Sequence, residues 1–250
     1  MLRSSIRMVA GLACRISPTC GPQAAVGRRP LLPSALKPAA NATACFCQSK
    51  QAKDYALPNA TWSQDMMTQY NKFMAMSRDG TWKRLPSYRH IVEHMPERMR
   101  QEHKEKINRE TRLFLRNMDV EGKGFEYVMF VNSSEKRVVC VFQPGPYLEG
   151  PPGFAHGGCI ATILDSTFGG CAVVFGGRVM TANLTINYKN PVPLGSVVLV
   201  DSKLDKTEGR KLFISGQVRS ADGETLHTEA TALFIQVVPQ TSPQQPDCSE

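Results

Sequence analysis

Residues 150–165 read GPPGFAHGGCIATILD. The first four positions are glycine, proline, proline, glycine, which cannot sit inside a helix. From Gly157 the composition turns apolar and continues through STFGGCAVVFGG, so the spacing predicts a helix from the paired glycines to about Val174, broken by Phe175-Gly176-Gly177. Ala161, Ile163, Leu164, Phe168, Cys171, Ala172 and Val173 spread around this helix and do not keep to one stripe. A helix apolar on several sides must be wrapped by other elements, not merely docked on one.

The flanking chain supplies material for wrapping. TRLFLRNM (111–118), GFEYVMFVN (124–132) and KRVVCVFQPG (136–145) are short, rich in branched and aromatic residues, and punctuated by turn formers. SSEKR joins the last two as a hairpin turn. After the helix, residues 179–239 read as three or four long strands, with turns at Asp205 to Arg210 and at SADGE. Strands, one long helix, then an antiparallel meander describe an α+β chain whose curled sheet encloses the helix.

Upstream, residues 55–80 predict a shorter helix. Thr61 or Ser63 caps it, Met66, Met67, Tyr70, Phe73 and Met74 form its apolar stripe, and Asp79-Gly80 ends it. The next stretch, 82–110, is highly charged. His90 and His94 there lie four apart, but position 91 is Ile, no HExxH is present, and solvated or capping histidines are the better account.

The opening stretch has chemical potential of its own. A helix start leaves backbone N–H groups unpaired and its dipole favours negative charge, while glycine permits close approach to that backbone. A polarised carbonyl would be stabilised there. Asp165 follows Gly157 by eight residues, or about 12 Å along the axis. A base or nucleophile must act within about 3 Å of the reacting atom. One copy of the helix therefore cannot present both groups to one carbonyl, whereas two antiparallel copies can, which places such a site across a two-fold interface. Ile163, Leu164 and Phe168 surround the carboxylate and predict its partial desolvation. Spacing alone leaves another reading open: His156 as a simple cap and Asp165 as a structural acceptor.

The segment GPYLEGPPGFAHGGCIATILDSTFG, followed by MTANLTINYKNPVPLG, closely resembles the hotdog-fold acyl-coenzyme A thioesterases over roughly residues 55–238. The resemblance implies a hotdog fold: a curved antiparallel sheet around a central helix, paired into homodimers or tetramers, here with an N-terminal helical extension. It implies hydrolysis of medium- and long-chain fatty acyl-CoA, of the palmitoyl-CoA hydrolase type, with no cofactor. By the same resemblance Asp165 is nucleophile or general base, and His156 organises the helix start. The Gly157 amide, with Gly158 beside it, holds the thioester carbonyl, and Thr181 orients water or substrate. Lys189, Lys206, Arg210 and Lys211 are candidates for the CoA phosphates, or ordinary solvated turn charges. The resemblance further implies a second role as a binding partner and negative regulator of the kinase Akt, and as a promoter of apoptosis. A non-enzymatic adaptor is the alternative.

The charge balance excludes a third class. The net charge is +8, but eight basic residues precede the first acid, Asp54, and the remaining 22 basic residues face 22 acidic ones. The body is neutral, which removes the electrostatic footprint of a nucleic-acid binder. The acid-free, Arg- and Ser-rich start matches a mitochondrial transit peptide; its longest apolar core, MVAGLAC, is too short for a secretory signal. The expected organisation is transit peptide and linker over 1–50, helical extension over 51–108, thioesterase domain over 109–238 and a polar tail over 239–250. No stretch is expected to reach the roughly 20 apolar residues of a membrane span, so any membrane association is peripheral. The eight cysteines show no zinc spacing and read as free thiols.

Overall fold

The computed structural model describes residues 53–87, 112–116 and 119–237. The expected transit peptide, the His90 and His94 pair, and the polar tail lie outside them. In chain order the elements are α1 (Gln64–Met76), β1 (Trp82–Leu85), a single 3-10 turn (Phe114–Arg116), β2 (Phe125–Asn132), β3 (Arg137–Pro144), a second 3-10 turn (Pro146–Leu148), α2 (Gly157–Gly176), β4 (Val179–Tyr188), β5 (Val198–Glu208), β6 (Lys211–Ser220) and β7 (Leu226–Gln236). The seven strands form one sheet in the order β1-β2-β3-β5-β6-β7-β4, antiparallel at every pairing. This curved sheet around the central α2 is the hotdog arrangement.

Strand alternation sorts the core into two layers. On the concave side, Val138, Cys140 and Phe142 of β3, Val198, Val200 and Leu204 of β5, and Ala230, Ala232 and Phe234 of β7 close around Ile163, Leu164, Phe168 and Ala172 of α2. On the convex side, the intervening residues Val128 and Phe130 of β2 and Val139 and Val141 of β3 meet Trp62, Met66 and Phe73 from the α1 segment. β2 and β3 are buried on both faces, which is why their sequences read as near-continuous apolar runs.

Ser63 is the N-cap of α1, its hydroxyl accepting from the Met66 N–H at 3.2 Å. Behind it, Trp62 Nε1 donates to the buried Glu126 carboxylate at 2.8 Å, and Asn59 and the Gly122 N–H donate to the same group. The extension is thereby locked onto β2 through a polar cluster whose donors are all supplied by neighbouring loops.

Four sequence expectations change. Residues 112–116 contain a 3-10 turn where a strand was expected. β3 pairs along the whole of β2, and the four-residue β1 that the charged stretch conceals takes the other edge over Met129–Asn132. Arg116 instead turns inward. Its guanidinium sits 3.6 Å from the Tyr127 ring centroid and donates to Ser87 Oγ and the Tyr127 carbonyl. Second, β1 makes the extension part strand. Third, β5 continues through the expected turn to Glu208, absorbing Asp205 as a bulge. Fourth, α2 is by length and composition apolar enough to cross a membrane, with a mean hydropathy of 1.6 over its most apolar window. In this fold it is the core helix, and its composition answers to the sheet around it.

Candidate active site

The loop before α2 is held at both ends. The His156 N–H donates to the Leu148 carbonyl at 2.8 Å and the Ala155 N–H to the Val192 carbonyl at 2.9 Å. His156 is the N-cap residue in extended conformation, and its Nδ1 accepts from the Gly158 N–H at 2.9 Å. That bond leaves the neutral ring's proton on Nε2. The His156 carbonyl accepts from the N–H groups of Cys159, at 2.9 Å, and Ile160, at 3.2 Å. Of the four N–H groups a helix start leaves over, three are thus used locally. The fourth, Gly157 N–H, meets no acceptor among the described residues. It belongs to an exposed helix start, where the dipole favours a negatively charged or polarised oxygen.

The paired glycines differ in what they permit. A Cβ on Gly158 would stand 2.9 Å from His156 Nδ1, so glycine is needed there for the imidazole to lie on the helix end. A Cβ on Gly157 would find its nearest neighbour, the Tyr188 ring, at 3.8 Å, an ordinary contact. Nothing among the described residues demands glycine at 157.

Asp165, half-buried in the middle of α2, accepts from Thr181 Oγ1 at 2.9 Å. A bulge in β4 brings these two together. Thr181 pairs with Phe234 and Asn183 with Leu233, leaving Ala182 as the extra residue. Before the bulge Thr181 faces α2; after it Leu184, Ile186 and Tyr188 do, opposite Ala232, Ala230 and Thr228. If Ala182 were paired in regular register and not bulged out, Thr181 and Tyr188, seven positions apart, would lie on opposite faces of the sheet.

Tyr188 is the site residue that sequence reasoning missed. Its hydroxyl donates to the Gly157 carbonyl at 2.9 Å. Its even spacing from Leu184 and Ile186 was the available signal, but Thr181 is odd, and only the bulge reconciles them.

One protomer thus assembles two clusters: His156, Gly157, Gly158 and Tyr188 at the helix start, and Asp165 with Thr181 about 12 Å further along the axis. The proposed phosphate contacts divide. Lys189 adjoins the first cluster next to Tyr188, but pairs with Glu229 at 3.2 Å. Lys206 lies beyond the β5 bulge, paired with Glu208 at 2.8 Å and above the Phe213 ring. With Arg210 and Lys211 it belongs to the β5–β6 end of the sheet, where Leu212 packs against Gly176 at the far end of α2. Within one protomer these three do not approach Gly157.

Cys159 shares the first turn of α2, but burial pushes its thiol up to about 12, so it stays protonated and unreactive near neutrality. Among the described residues no three or more His, Cys, Asp or Glu side chains gather as a metal site would require.

Residues 152–227 match the thioesterase superfamily. Acyl-coenzyme A thioesterase THEM4 of Xenopus laevis is 57% identical over 197 residues, covering 78% of this chain and 85% of its own length. Acyl-coenzyme A thioesterase THEM5 of Homo sapiens is 40% identical over 198 residues, covering 77% and 79%. A crystallised thioesterase superfamily protein is 32% identical, covering 44% of this chain and 53% of its own, with a TM-score of 0.41.

Proposed function

The chain belongs to the thioesterase superfamily, in the family of the THEM4 acyl-coenzyme A thioesterases, and from that premise we propose that its two half-sites combine across a homodimer to hydrolyse medium- and long-chain fatty acyl-CoA. The reaction, fatty acyl-CoA and water to free fatty acid and CoA, is the family's own. What is proposed is the division of labour. The thioester carbonyl oxygen accepts from the Gly157 N–H of one protomer. Asp165 of the partner subunit, held by its own Thr181 hydroxyl, delivers the attack, either by taking a proton from water or by adding to the carbonyl itself. Negative charge gathers on the carbonyl oxygen in either route, and a fixed amide at a helix start stabilises it without reorganisation. The sulfur leaves as thiolate and is protonated; in the second route water then hydrolyses the mixed anhydride, releasing the fatty acid and restoring the Asp165 carboxylate.

The observation that carries this reading is the Gly157 N–H, the only first-turn donor without an acceptor among the described residues, set about 12 Å from the nearest carboxylate of its own helix. The open side of the fold supports the pairing. Among the described residues β4 is an edge strand, Val173 and Val174 are exposed on α2, and Met180 is exposed on the face of β4 turned away from α2. An antiparallel second copy beside β4 would extend the sheet.

Asp165→Asn tests the proposal: it removes the base and the nucleophile while keeping an acceptor for Thr181. Palmitoyl- and myristoyl-CoA hydrolysis should fall at least about a thousandfold, with the dimer retained in sedimentation. Normal turnover would sink the mechanism.

Phosphate contacts by Lys189, Lys206, Arg210 and Lys211, pairing of dimers into tetramers, mitochondrial import on residues 1–50, and binding to Akt are further parts of the proposal. The first follows from charge, the import from the basic leader, and the others from family resemblance. Fractionation of cells expressing the full chain tests the import, and co-precipitation with purified Akt tests the last.

A further inference from the structure

The peptide unit between Gly157 and Gly158 is held at both of its polar ends by side chains. Its N–H is taken by His156 Nδ1 at 2.9 Å, and its carbonyl by the Tyr188 hydroxyl at 2.9 Å. Two successive glycines are the least rigid way to begin a helix, since each brings the largest loss of backbone entropy on ordering. The free Gly157 N–H lies on the neighbouring peptide unit, so its direction is set by the φ and ψ of Gly157, the residue that joins the two planes. An amide that stabilises developing charge must be aimed before the reaction begins. Glycine at 157 leaves that direction loose, and a second anchor beyond the histidine cap removes the looseness.

We propose that Tyr188 is a positioning residue of the hydrolytic site: with His156 it clamps the Gly157–Gly158 peptide, and so fixes the direction of the Gly157 N–H toward the substrate carbonyl. The inference rests on the proposed role of that amide. Tyr188 reaches the clamp from the end of β4, and the Ala182 bulge puts it on the same face as Thr181. One irregularity in one edge strand therefore serves both half-sites, holding the carboxylate through Thr181 and the amide through Tyr188. Tyr188 is about half exposed, at 55% of its surface, so its hydroxyl is not required to satisfy a buried group. The burial of its ring does little for the core, which separates a positioning role from a packing one.

The test is Tyr188→Phe in the full-length protein, which removes the hydroxyl and keeps the ring. Two readouts are taken. With palmitoyl-CoA, kcat should fall about five- to tenfold, the scale of one hydrogen bond, while KM stays within about twofold. Without substrate, the Gly158 amide should exchange with solvent faster by a similar factor, because the peptide opens more often. Melting temperature and dimerisation should match the parent protein. Parental kcat, a change confined to KM, or unchanged Gly158 exchange would each overturn the clamp. Failure of the site reading itself is visible separately: Asp165→Asn would then keep its turnover, whereas the exchange readout involves no catalysis and still reports on the clamp.

Discussion

Gly157→Ala should separate stability from activity. The added methyl finds its nearest neighbour at 3.8 Å, so the protomer accommodates it without movement. Alanine is favoured over glycine in a helix by up to about 1 kcal/mol, and less at the first position. For a domain of this size, 1 kcal/mol corresponds to roughly 2–4 °C, so the melting temperature should hold or rise by no more than about 4 °C. Catalysis should respond in the opposite sense. A carbonyl oxygen must come within about 3 Å of the Gly157 nitrogen, and a methyl on the adjoining Cα crowds that approach. Loss of one such donor costs about 10²- to 10³-fold in kcat; crowding it should cost kcat/KM at least about tenfold. Gly158→Ala is the control. Its methyl would stand 2.9 Å from His156 Nδ1 and displace the imidazole, losing about 1 kcal/mol of capping against a similar gain in propensity. The assays are a thermal melt and continuous detection of the CoA thiol released from palmitoyl-CoA. Parental kcat/KM in Gly157→Ala would refute the amide's role. A melting temperature lowered by more than about 4 °C would refute the claim that position 157 has room.

Two further outcomes follow from the core. Trp62→Phe removes the indole donor from the buried Glu126 while preserving most of the ring; chemical denaturation should show a loss of about 1–3 kcal/mol, with hydrolysis little changed because the cluster lies on the convex side. Burial pushes the Cys140 thiol up to about 12 and that of Cys171 up to about 11. Peptide mapping after alkylation at pH 8 should therefore find Cys140, Cys159 and Cys171 unlabelled in the folded protein and labelled once it is denatured.

Much of the site's layout was legible locally. Proline and glycine before His156, the apolar run after it and the Phe-Gly-Gly stop define α2 through backbone rules that need no tertiary partner, and Gly157–Gly176 agrees with them. Ser63 and the Met and aromatic stripe mark α1 in the same way. The axial gap from Gly157 to Asp165 is likewise a property of the helix alone, and it already required a second copy for any shared chemistry. Strand identity was less secure. TRLFLRNM has strand composition, yet composition cannot say that β2 would spend its free edge on Trp82–Leu85, a pairing set by a distant segment.

Register belongs to the tertiary structure. Whether Thr181 and Tyr188 face the same side of β4 depends on how that strand pairs with the distant β7, and on the one extra residue at Ala182. A period of two read along the sequence puts them on opposite faces. The helix and its capping glycines thus follow from interactions within a few residues of chain. The placement of Thr181 against Asp165 and of Tyr188 against Gly157 follows from hydrogen bonding between strands, which local sequence does not determine.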